Sequence, residues 1–276
     1  MSTEQNAAQS VDPRVGCVVE PDGRITFDLP PLPAEGPQVL LRLRPKKGRP
    51  EKTLHTLGLA PAADGRLRAV LGPQPVLEEG RWDVYLLREP GSERQRLRPG
   101  LRDLRALVDG HLRDRQSPLA VRVPYVTKDG YLAVRTWLRP AHAEVDGIDI
   151  TDRSMTVGAR LHGASFQEGA AVHLRLRGGS GTVHPLEPRP APDGRSFSFT
   201  VDHGELTAGT DAGSGVWDVF VRPAAQAPLI RVARLLDDLA DRKEVFVHPA
   251  VTLGGAVLRP YYTVDNDLSV EVTKAG

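Results

Sequence analysis

A duplicated strand pattern constrains this chain more than any other feature of its sequence. The segment Gly80-Arg81-Trp82-Asp83-Val84 reappears as Gly215-Val216-Trp217-Asp218-Val219, almost half of the chain further on. Each copy alternates apolar and polar side chains, which is typical of a strand with one face in a core and one in water. A repeat of about half the chain length predicts two similar modules.

Three further pairs of segments repeat in the same order and at nearly the same spacing. They are 35–44 with 168–177, 61–66 with 190–195, and 124–134 with 260–270. Insertions in loops account for the small drift of this spacing. The sequence therefore predicts an all-β fold, a tandem repeat of two immunoglobulin-like antiparallel β-sandwich modules. A closed β-barrel is the alternative for each module.

The predicted organisation has four parts. Residues 1–14 are small and polar and are expected to form a disordered arm. Module 1 spans 15–140 and module 2 spans 148–276, joined by a short link from 140 to 148. Apolar residues at spacings of three and four over 97–112 and over 232–239 predict either a short helix or an irregular loop in each module.

Composition limits the class of protein. The 27 glycines and 24 prolines favour many short strands joined by turns. Lys plus Arg is 36 and Asp plus Glu is 35, so the formal net charge of +1 argues against nucleic-acid binding. A single cysteine, Cys17, excludes an intramolecular disulfide. The polar start and the lack of any apolar run long enough to cross a bilayer predict a cytoplasmic protein without a membrane span.

No pattern of catalytic or metal-binding residues emerges. The sequence has no His-x-His, His-Glu-x-x-His, Cys-x-x-Cys or Gly-x-Ser-x-Gly. We therefore predict no metal site, no cofactor and no catalytic residue, and no histidine or cysteine essential for activity. Trp82 and Trp217 are expected to be equivalent core residues. Asp83 and Asp218, which follow them and face outward, are expected to have a structural role such as pairing with a neighbouring arginine.

The outward faces of the predicted strands carry arginine at matching positions in the two modules. Arginine can bind carboxylates or phosphates through two parallel hydrogen bonds and can stack on rings. Such a strip either provides solubility or, with an aromatic residue near the link, forms a surface for an acidic glycan or a partner subunit. The candidate binding residues are Arg42, Arg44, Tyr131, Trp137, Arg175 and Arg177. Trp137 has two alternatives, burial between the modules or stacking on a ligand such as a sugar ring.

Two segments resemble a known family. The block 259–270 (Arg-Pro-Tyr-Tyr-Thr-Val-Asp-Asn-Asp-Leu-Ser-Val) and the strand Gly215-Val216-Trp217-Asp218-Val219 resemble segments of the β-sandwich modules of actinobacterial cell-wall and teichoic-acid-type glycosyltransferases. A tandem pair is also similar in architecture to the immunoglobulin-like trimerisation modules of wall teichoic acid transferases. This chain has no transferase domain, so the resemblance implies the accessory role and not the transfer reaction.

Two functions follow as hypotheses. The first is a non-catalytic accessory or interaction protein whose two β-sandwich modules bind a glycan, a partner protein or another copy of the chain. The alternative is a biosynthetic enzyme of the cyclase or isomerase type with a pocket between the two modules. Fold alone does not decide between them, because β-sandwiches carry many functions.

Overall fold

A computed structural model of the chain describes residues 12–45, 48, 50–51, 53–111, 117–178, 181–210 and 214–276. The chain divides into two compact units. Unit 1 comprises Met1–Leu112 and Arg122–Trp137, and unit 2 comprises Arg113–Val121 and Leu138–Gly276. Most of the predicted arm, residues 1–11, lies outside the described residues, and the first strand already begins at Arg14.

Short strands make up most of both units, as the frequent turn residues predict. The elements in the first half of the chain are β1 (Arg14–Val19), β2 (Ile25–Leu29), β3 (Gln38–Leu43), β4 (Leu54–Gly58), β5 (Ala60–Pro61), β6 (Leu67–Leu71), β7 (Gly80–Leu87), β8 (Gln95–Arg96), β9 (Arg98–Asp103), α1 (Arg105–Val108), β10 (Leu119–Val126) and β11 (Leu132–Arg139). Those in the second half are β12 (His142–Ile150), β13 (Ser154–His162), β14 (Ala171–Leu176), β15 (Val183–Leu186), β16 (Arg189–Pro190), β17 (Ser196–Asp202), α2 (His203–Ala208), β18 (Gly215–Arg222), β19 (Ile230–Ala233), β20 (Val251–Leu253), β21 (Ala256–Tyr262) and β22 (Leu268–Lys274).

The strands of the first half form two sheets. One has the order β5-β6-β2-β1-β9, in which β1 and β9 are parallel, and the other has the order β10-β11-β7-β3-β4 with β8 beside β7. Alternate side chains of both sheets are fully buried, among them Phe27 in the first and Leu41 in the second. The fold is therefore all-β and sandwich-like, as predicted.

The second half repeats these strand neighbours within one continuous sheet. Its order is β16-β17-β13-β12-β19-β18-β22-β21-β20, and β14 and β15 extend from β18. The sheet is continuous because β19 pairs with both β12 and β18. In the first half two strands take the place of β19: β8 pairs with β7 in one sheet, and β9 pairs with β1 in the other. The immunoglobulin-like character of the units stays a prediction.

Strand registers match between the halves at the spacing of the sequence repeat. In the first half β7, which carries Trp82, lies between β3 and β11, and in the second half β18, which carries Trp217, lies between β14 and β22. Equivalent strands therefore surround each tryptophan. The equivalent cross-strand pairs are Leu41–Val84 and Leu174–Val219, Trp82–Val134 and Trp217–Val270, and Tyr85–Arg96 and Phe220–Arg231.

The two tryptophans anchor the cores. Trp82 is 0% exposed and Trp217 is 1% exposed, which confirms the prediction that both are core residues. Each indole N–H has a buried partner: Trp82 Nε1 donates to Thr136 Oγ1 (3.1 Å) and Trp217 Nε1 donates to Thr210 Oγ1 (2.9 Å). A large ring with a satisfied polar atom can fill a core without an unpaired donor.

Two local patterns were compatible with either a short helix or an irregular loop, and the structure distinguishes these alternatives. Within 97–111 the helical residues are those of α1, Leu97 lies between β8 and β9, and Leu101 in β9 is 91% exposed. In 232–239 the chain leaves β19 and continues without a helix. The predicted link at 140–148 is mostly β12, which pairs with β13 and is therefore part of a sheet. Within the described residues, no helix is both long enough and apolar enough to cross a membrane.

Candidate functional site on the arginine-bearing sheet faces

Asp83 on β7 forms hydrogen bonds and ion pairs with several arginines on the outward face of unit 1. Arg44 donates to Asp83 Oδ1 from Nε (2.9 Å) and from Nη2 (2.6 Å), and Arg96 Nη2 donates to the same oxygen at 3.2 Å. Arg42 Nη1 lies 3.7 Å from Asp83 Oδ2. Asp83 is only 5% exposed, so its carboxylate needs these cations. We name Asp83, Arg44 and Arg96 the Asp83 cluster.

Asp218 on β18 has the equivalent arrangement in unit 2. Arg177 donates to both carboxylate oxygens (2.9 and 2.6 Å), Arg231 Nη2 donates to Oδ1 at 2.6 Å, and the Ser269 hydroxyl donates to Oδ1 at 2.8 Å. Burial acts to raise the pKa of Asp218, but the hydrogen bonds from Arg177 and Ser269 outweigh it and hold that pKa below its usual value. We name Asp218, Arg177, Arg231 and Ser269 the Asp218 cluster. The expected pairing of each repeated aspartate with an arginine is confirmed.

The structure places the six candidate binding residues in four situations. Arg44 and Arg177 are held by the aspartates just described, and Arg42 Nε donates to Glu51. The Arg175 guanidinium lies 5.5 Å from the centre of the Phe220 ring. Trp137 is 1% exposed, with the Arg135 guanidinium 5.0 Å from its ring, so its ring is not presented to a ligand at the surface.

Tyr131 remains accessible and is surrounded by arginine. The guanidinium carbons of Arg96 and Arg98 lie 4.1 and 4.6 Å from the centre of its ring, distances at which cations are attracted to an aromatic face. Arg98 Nε donates to Asp12 Oδ2 at 3.0 Å, and the Tyr131 hydroxyl donates to the same oxygen at 3.3 Å. These contacts fix the ring and Arg98 beside the β7–β8 connection.

A cavity of about 550 Å³ opens beside Tyr131. We call it the arginine groove; its lining is Asp12, Arg88, Ser92, Glu93, Arg94, Gln95, Arg96 and Tyr131. Arg94 Nη1 donates to both oxygens of Glu51, at 2.8 and 3.1 Å. Arg88 Nη2 donates to Gln95 Oε1 at 3.4 Å, and no carboxylate partner of Arg88 occurs among the described residues.

Sequence reasoning identified Tyr131 but missed the rest of the groove. The available signal was local: arginines recur at 88, 94, 96 and 98, close to the end of the tryptophan strand. Their convergence depends on β8 folding back onto β7, and β8 is too short for an apolar pattern to reveal it.

Unit 2 contains a buried network that sequence reasoning also missed. His142 Nε2 lies 2.7 Å from Glu144 Oε2, and the same carboxylate accepts the backbone N–H groups of Leu235 (2.7 Å) and Leu236 (3.0 Å). His162 stacks on His142 with ring centres 6.0 Å apart. Burial, reinforced by His142, lowers the pKa of His162 to about 4. The network fixes the chain after β19 onto β12, because each Glu144 oxygen accepts one of these backbone N–H groups.

The described residues contain no group of three or more His, Cys, Asp or Glu side chains placed to hold a metal ion. The enzyme alternative, with its pocket between the modules, stays a prediction.

Comparisons with known proteins gave limited similarity. No family model matches the chain, and no curated protein matches it. Among solved structures, the crystal structure of S. aureus TarS matches over 56% of this chain and 28% of that chain, with 13% identity and a TM-score of 0.40. The crystal structure of S. aureus TarS 217–571 matches over 70% of this chain and 56% of that chain, with 14% identity and a TM-score of 0.29. This chain thus spans less than two thirds of either solved chain.

Proposed function

We propose that this chain is a non-catalytic interaction protein and that the arginine groove of unit 1 binds an acidic glycan. The observation that carries the proposal is the convergence of three guanidinium groups, those of Arg88, Arg94 and Arg96, around one cavity of about 550 Å³. A cavity of this volume has the size of sites that take a few rings of a ligand.

The cations of the groove are suited to bind anions without rearrangement. Arg94 is held by Glu51, and Arg96 is held by Asp83 with the exposed carboxylate of Asp129 3.9 Å from its Nη1. Part of each guanidinium is thus fixed, while its other N–H groups can face a ligand. Arg88 has only an amide partner among the described residues, so a ligand carboxylate, phosphate or sulfate can supply the charged partner it lacks.

The other lining groups favour a hydroxyl-bearing ligand. Ser92 and Gln95 offer neutral hydrogen-bonding side chains, and Asp12 and Glu93 offer carboxylates that accept hydroxyl donors. Of the three lining arginines, Arg88 is the one without a carboxylate partner among the described residues, which suits a ligand with few, spaced acidic groups. This role agrees with the accessory function that the family resemblance implies.

The test is calorimetric titration with three oligosaccharides and a peptide. The probes are an oligogalacturonate, a sulfated heparin-derived hexasaccharide, neutral cellohexaose and a hexaglutamate peptide. We expect the acidic oligosaccharides to bind and Arg88→Ala to weaken binding about tenfold, since a charge-assisted hydrogen bond contributes about 1.5–3 kcal/mol. Arg189→Ala, which removes the same charge from an exposed position in unit 2, should change affinity less than about twofold.

Three results would overturn the proposal. Equal binding of cellohexaose would show that the anionic groups are irrelevant. Tighter binding of hexaglutamate would identify the groove as a protein-docking surface. An absence of binding by both acidic oligosaccharides, with the protein folded, would reject a glycan ligand.

A further inference from the structure

A smaller cavity lies in unit 2, on the sheet that carries the Asp218 cluster. Its volume is about 210 Å³, and its walls include Lys243, Phe246, Val247, Arg259, Tyr261 and Glu271. The first three belong to the connection between β19 and β20, and the others belong to β21 and β22. The cavity is therefore the space between a long connection and the outward face of the sheet.

The wall formed by the connection is fixed by buried groups. Arg242 is 0% exposed, its Nη2 donates to Asp237 Oδ2 at 2.6 Å, and its backbone N–H donates to Asn266 Oδ1 at 3.0 Å. Asn266 lies in the turn between β21 and β22 with φ of 61°, a conformation asparagine tolerates better than most residues. The Phe246 N–H donates to the Arg242 carbonyl at 2.8 Å. The buried arginine thus holds the connection against the hairpin.

The ring at the cavity wall is also held in place. Phe246 packs edge-on against Tyr262 with ring centres 6.1 Å apart, and the Arg242 guanidinium lies 5.4 Å from its ring. Beside it, Val247 is 76% exposed, a large apolar side chain left in water at the cavity edge. An ordered aromatic wall next to an exposed apolar side chain can bury the apolar face of a ligand ring.

The charges at the cavity are asymmetric. Arg259 Nη2 donates to Glu271 Oε2 at 3.0 Å, so these two groups largely neutralise each other. Lys243 is exposed, and no carboxylate partner of its ammonium group occurs among the described residues. Lys243 is therefore available to an acidic group of a ligand, and Glu271 retains an oxygen that can accept hydrogen bonds from hydroxyl groups.

We infer that this cavity binds one sugar ring that carries a phosphate or a carboxylate. The ring lies against Phe246 and Tyr261, its hydroxyls donate to Glu271, and its acidic group faces Lys243. At about 210 Å³ the cavity is smaller than the pockets of about 300–1,000 Å³ that take larger ligands, so it accommodates one ring and not two. This site lies in unit 2 and does not depend on the arginine groove of unit 1.

The test is titration of the full chain with monosaccharides, followed by NMR chemical shifts. The probes are glucose 1-phosphate and glucuronate, with glucose, inorganic phosphate and benzoate as comparisons. We expect glucose 1-phosphate or glucuronate to bind saturably and at least about tenfold more tightly than each comparison. Lys243→Ala should weaken that binding at least about fivefold. Lys274→Ala, the same change on an exposed lysine at the end of β22, should alter it less than about twofold.

The comparison probes give outcomes that would reject the inference. Equal binding of glucose would remove the role of the acidic group, equal binding of phosphate would reduce the site to a simple anion site, and tighter binding of benzoate would indicate an aromatic acid. Saturable binding that survives Lys243→Ala, or no binding of either sugar acid, would also reject it. Arg88→Ala should leave monosaccharide binding unchanged, so failure of the groove proposal and failure of this one are distinguishable.

Discussion

The Asp83 and Asp218 clusters occupy equivalent strands but leave different charges at the surface. The decisive position follows the turn of the last hairpin, where unit 1 has Tyr131 and unit 2 has Asp267 at the spacing of the sequence repeat. In unit 1 the uncharged tyrosine ring stacks on Arg96, whose carboxylate neighbours are Asp83 and, 3.9 Å from Nη1, the exposed Asp129. In unit 2 the carboxylate lies 3.5 Å from Arg231 Nε. This position thus places a part-buried carboxylate beside the cluster arginine in unit 2 and an uncharged ring beside it in unit 1.

A second difference explains why the small cavity belongs to unit 2. At the same spacing, Arg259 and Glu271 of unit 2 correspond to Val123 and Arg135 of unit 1. Val123 is 0% exposed, so unit 1 buries an apolar side chain where unit 2 carries a surface ion pair. The two sheet faces share a backbone arrangement and differ in the chemistry they can offer to a ligand.

The largest expected effect tests whether Trp82 and Trp217 contribute equally to the free energy of unfolding. Trp82→Ala and Trp217→Ala should each lower the free energy of unfolding by about 3–5 kcal/mol, because each removes a fully buried ring, leaves a cavity and removes the indole hydrogen bond to a threonine. Urea unfolding measures both. A loss below about 1 kcal/mol for either variant would show that the tryptophan of that unit is not an anchor.

The repeat explains why these anchors and the strand faces could be predicted from the sequence. Alternation is a local property, so Val39, Leu41, Phe197 and Phe199 identify their strands and their buried faces without knowledge of the rest of the fold. The pairing of Asp83 with Arg44 was also predictable as a possibility, because a repeated outward aspartate in an arginine-rich sheet requires a cationic partner.

The ligand-binding groups were less predictable because long-range turns bring them together. Arg88 and Arg96 share the groove only because β8 returns to β7, and so short a strand has no periodicity to detect. The small cavity depends on Arg242, which resembles a surface charge in the sequence and is fully buried in the structure. Alternation placed Trp137 off the repeated core face and left burial or ligand stacking open, and the structure shows that the ring is buried.

The next largest effect separates the two clusters. Asp83→Asn should lower the free energy of unfolding by about 2–3 kcal/mol, since it leaves Arg44 and Arg96 without their shared carboxylate in a buried position. Asp218→Asn should cost about 1–2 kcal/mol, because Asp267 still accompanies Arg231. Urea unfolding of the two variants and of the double variant Asp218→Asn/Asp267→Asn measures the difference. Equal costs for the two single variants would contradict the assigned role of Asp267.

Acid should weaken unit 2 through His162. Its pKa is lowered from 6.5 to about 4, chiefly by burial and then by His142, while Arg160 and Arg195 add to the lowering and Glu144 opposes it. Between those values the unfolded chain binds a proton that the folded chain does not, so the free energy of unfolding is highest above pH 6.5 and falls as the pH drops towards 4. The expected loss from this residue between pH 7 and pH 5 is about 2 kcal/mol.

Urea unfolding at pH 7, 6 and 5 checks this loss. His162→Gln should reduce the dependence on pH and leave the part due to other histidines whose pKa burial lowers, such as His203 and His248. His111→Gln, at an exposed histidine of unit 1, should leave the dependence as in the unmodified chain. Hydrogen exchange at pH 5 should show the amides of β12 and β13 losing protection before those of β7. An unchanged slope in His162→Gln would assign the acid response to other groups.

The smallest expected effect concerns the hydroxyl that unit 2 has and unit 1 lacks. Ser269 corresponds to Ala133, and its hydroxyl donates to Asp218 Oδ1 (2.8 Å) and accepts from Arg231 Nη2 (2.9 Å). Ser269→Ala should lower the free energy of unfolding by about 1 kcal/mol, the usual net value of one intramolecular hydrogen bond. Because that hydrogen bond also lowers the pKa of Asp218, the variant should show a higher pKa for this carboxyl in NMR titration.

Ser198→Ala on β17, a serine at a half-buried strand position of the same unit, should change neither quantity. If Ser198→Ala costs as much as Ser269→Ala, the loss reflects the strand and not the cluster, and unit 1 then loses nothing by having alanine at position 133.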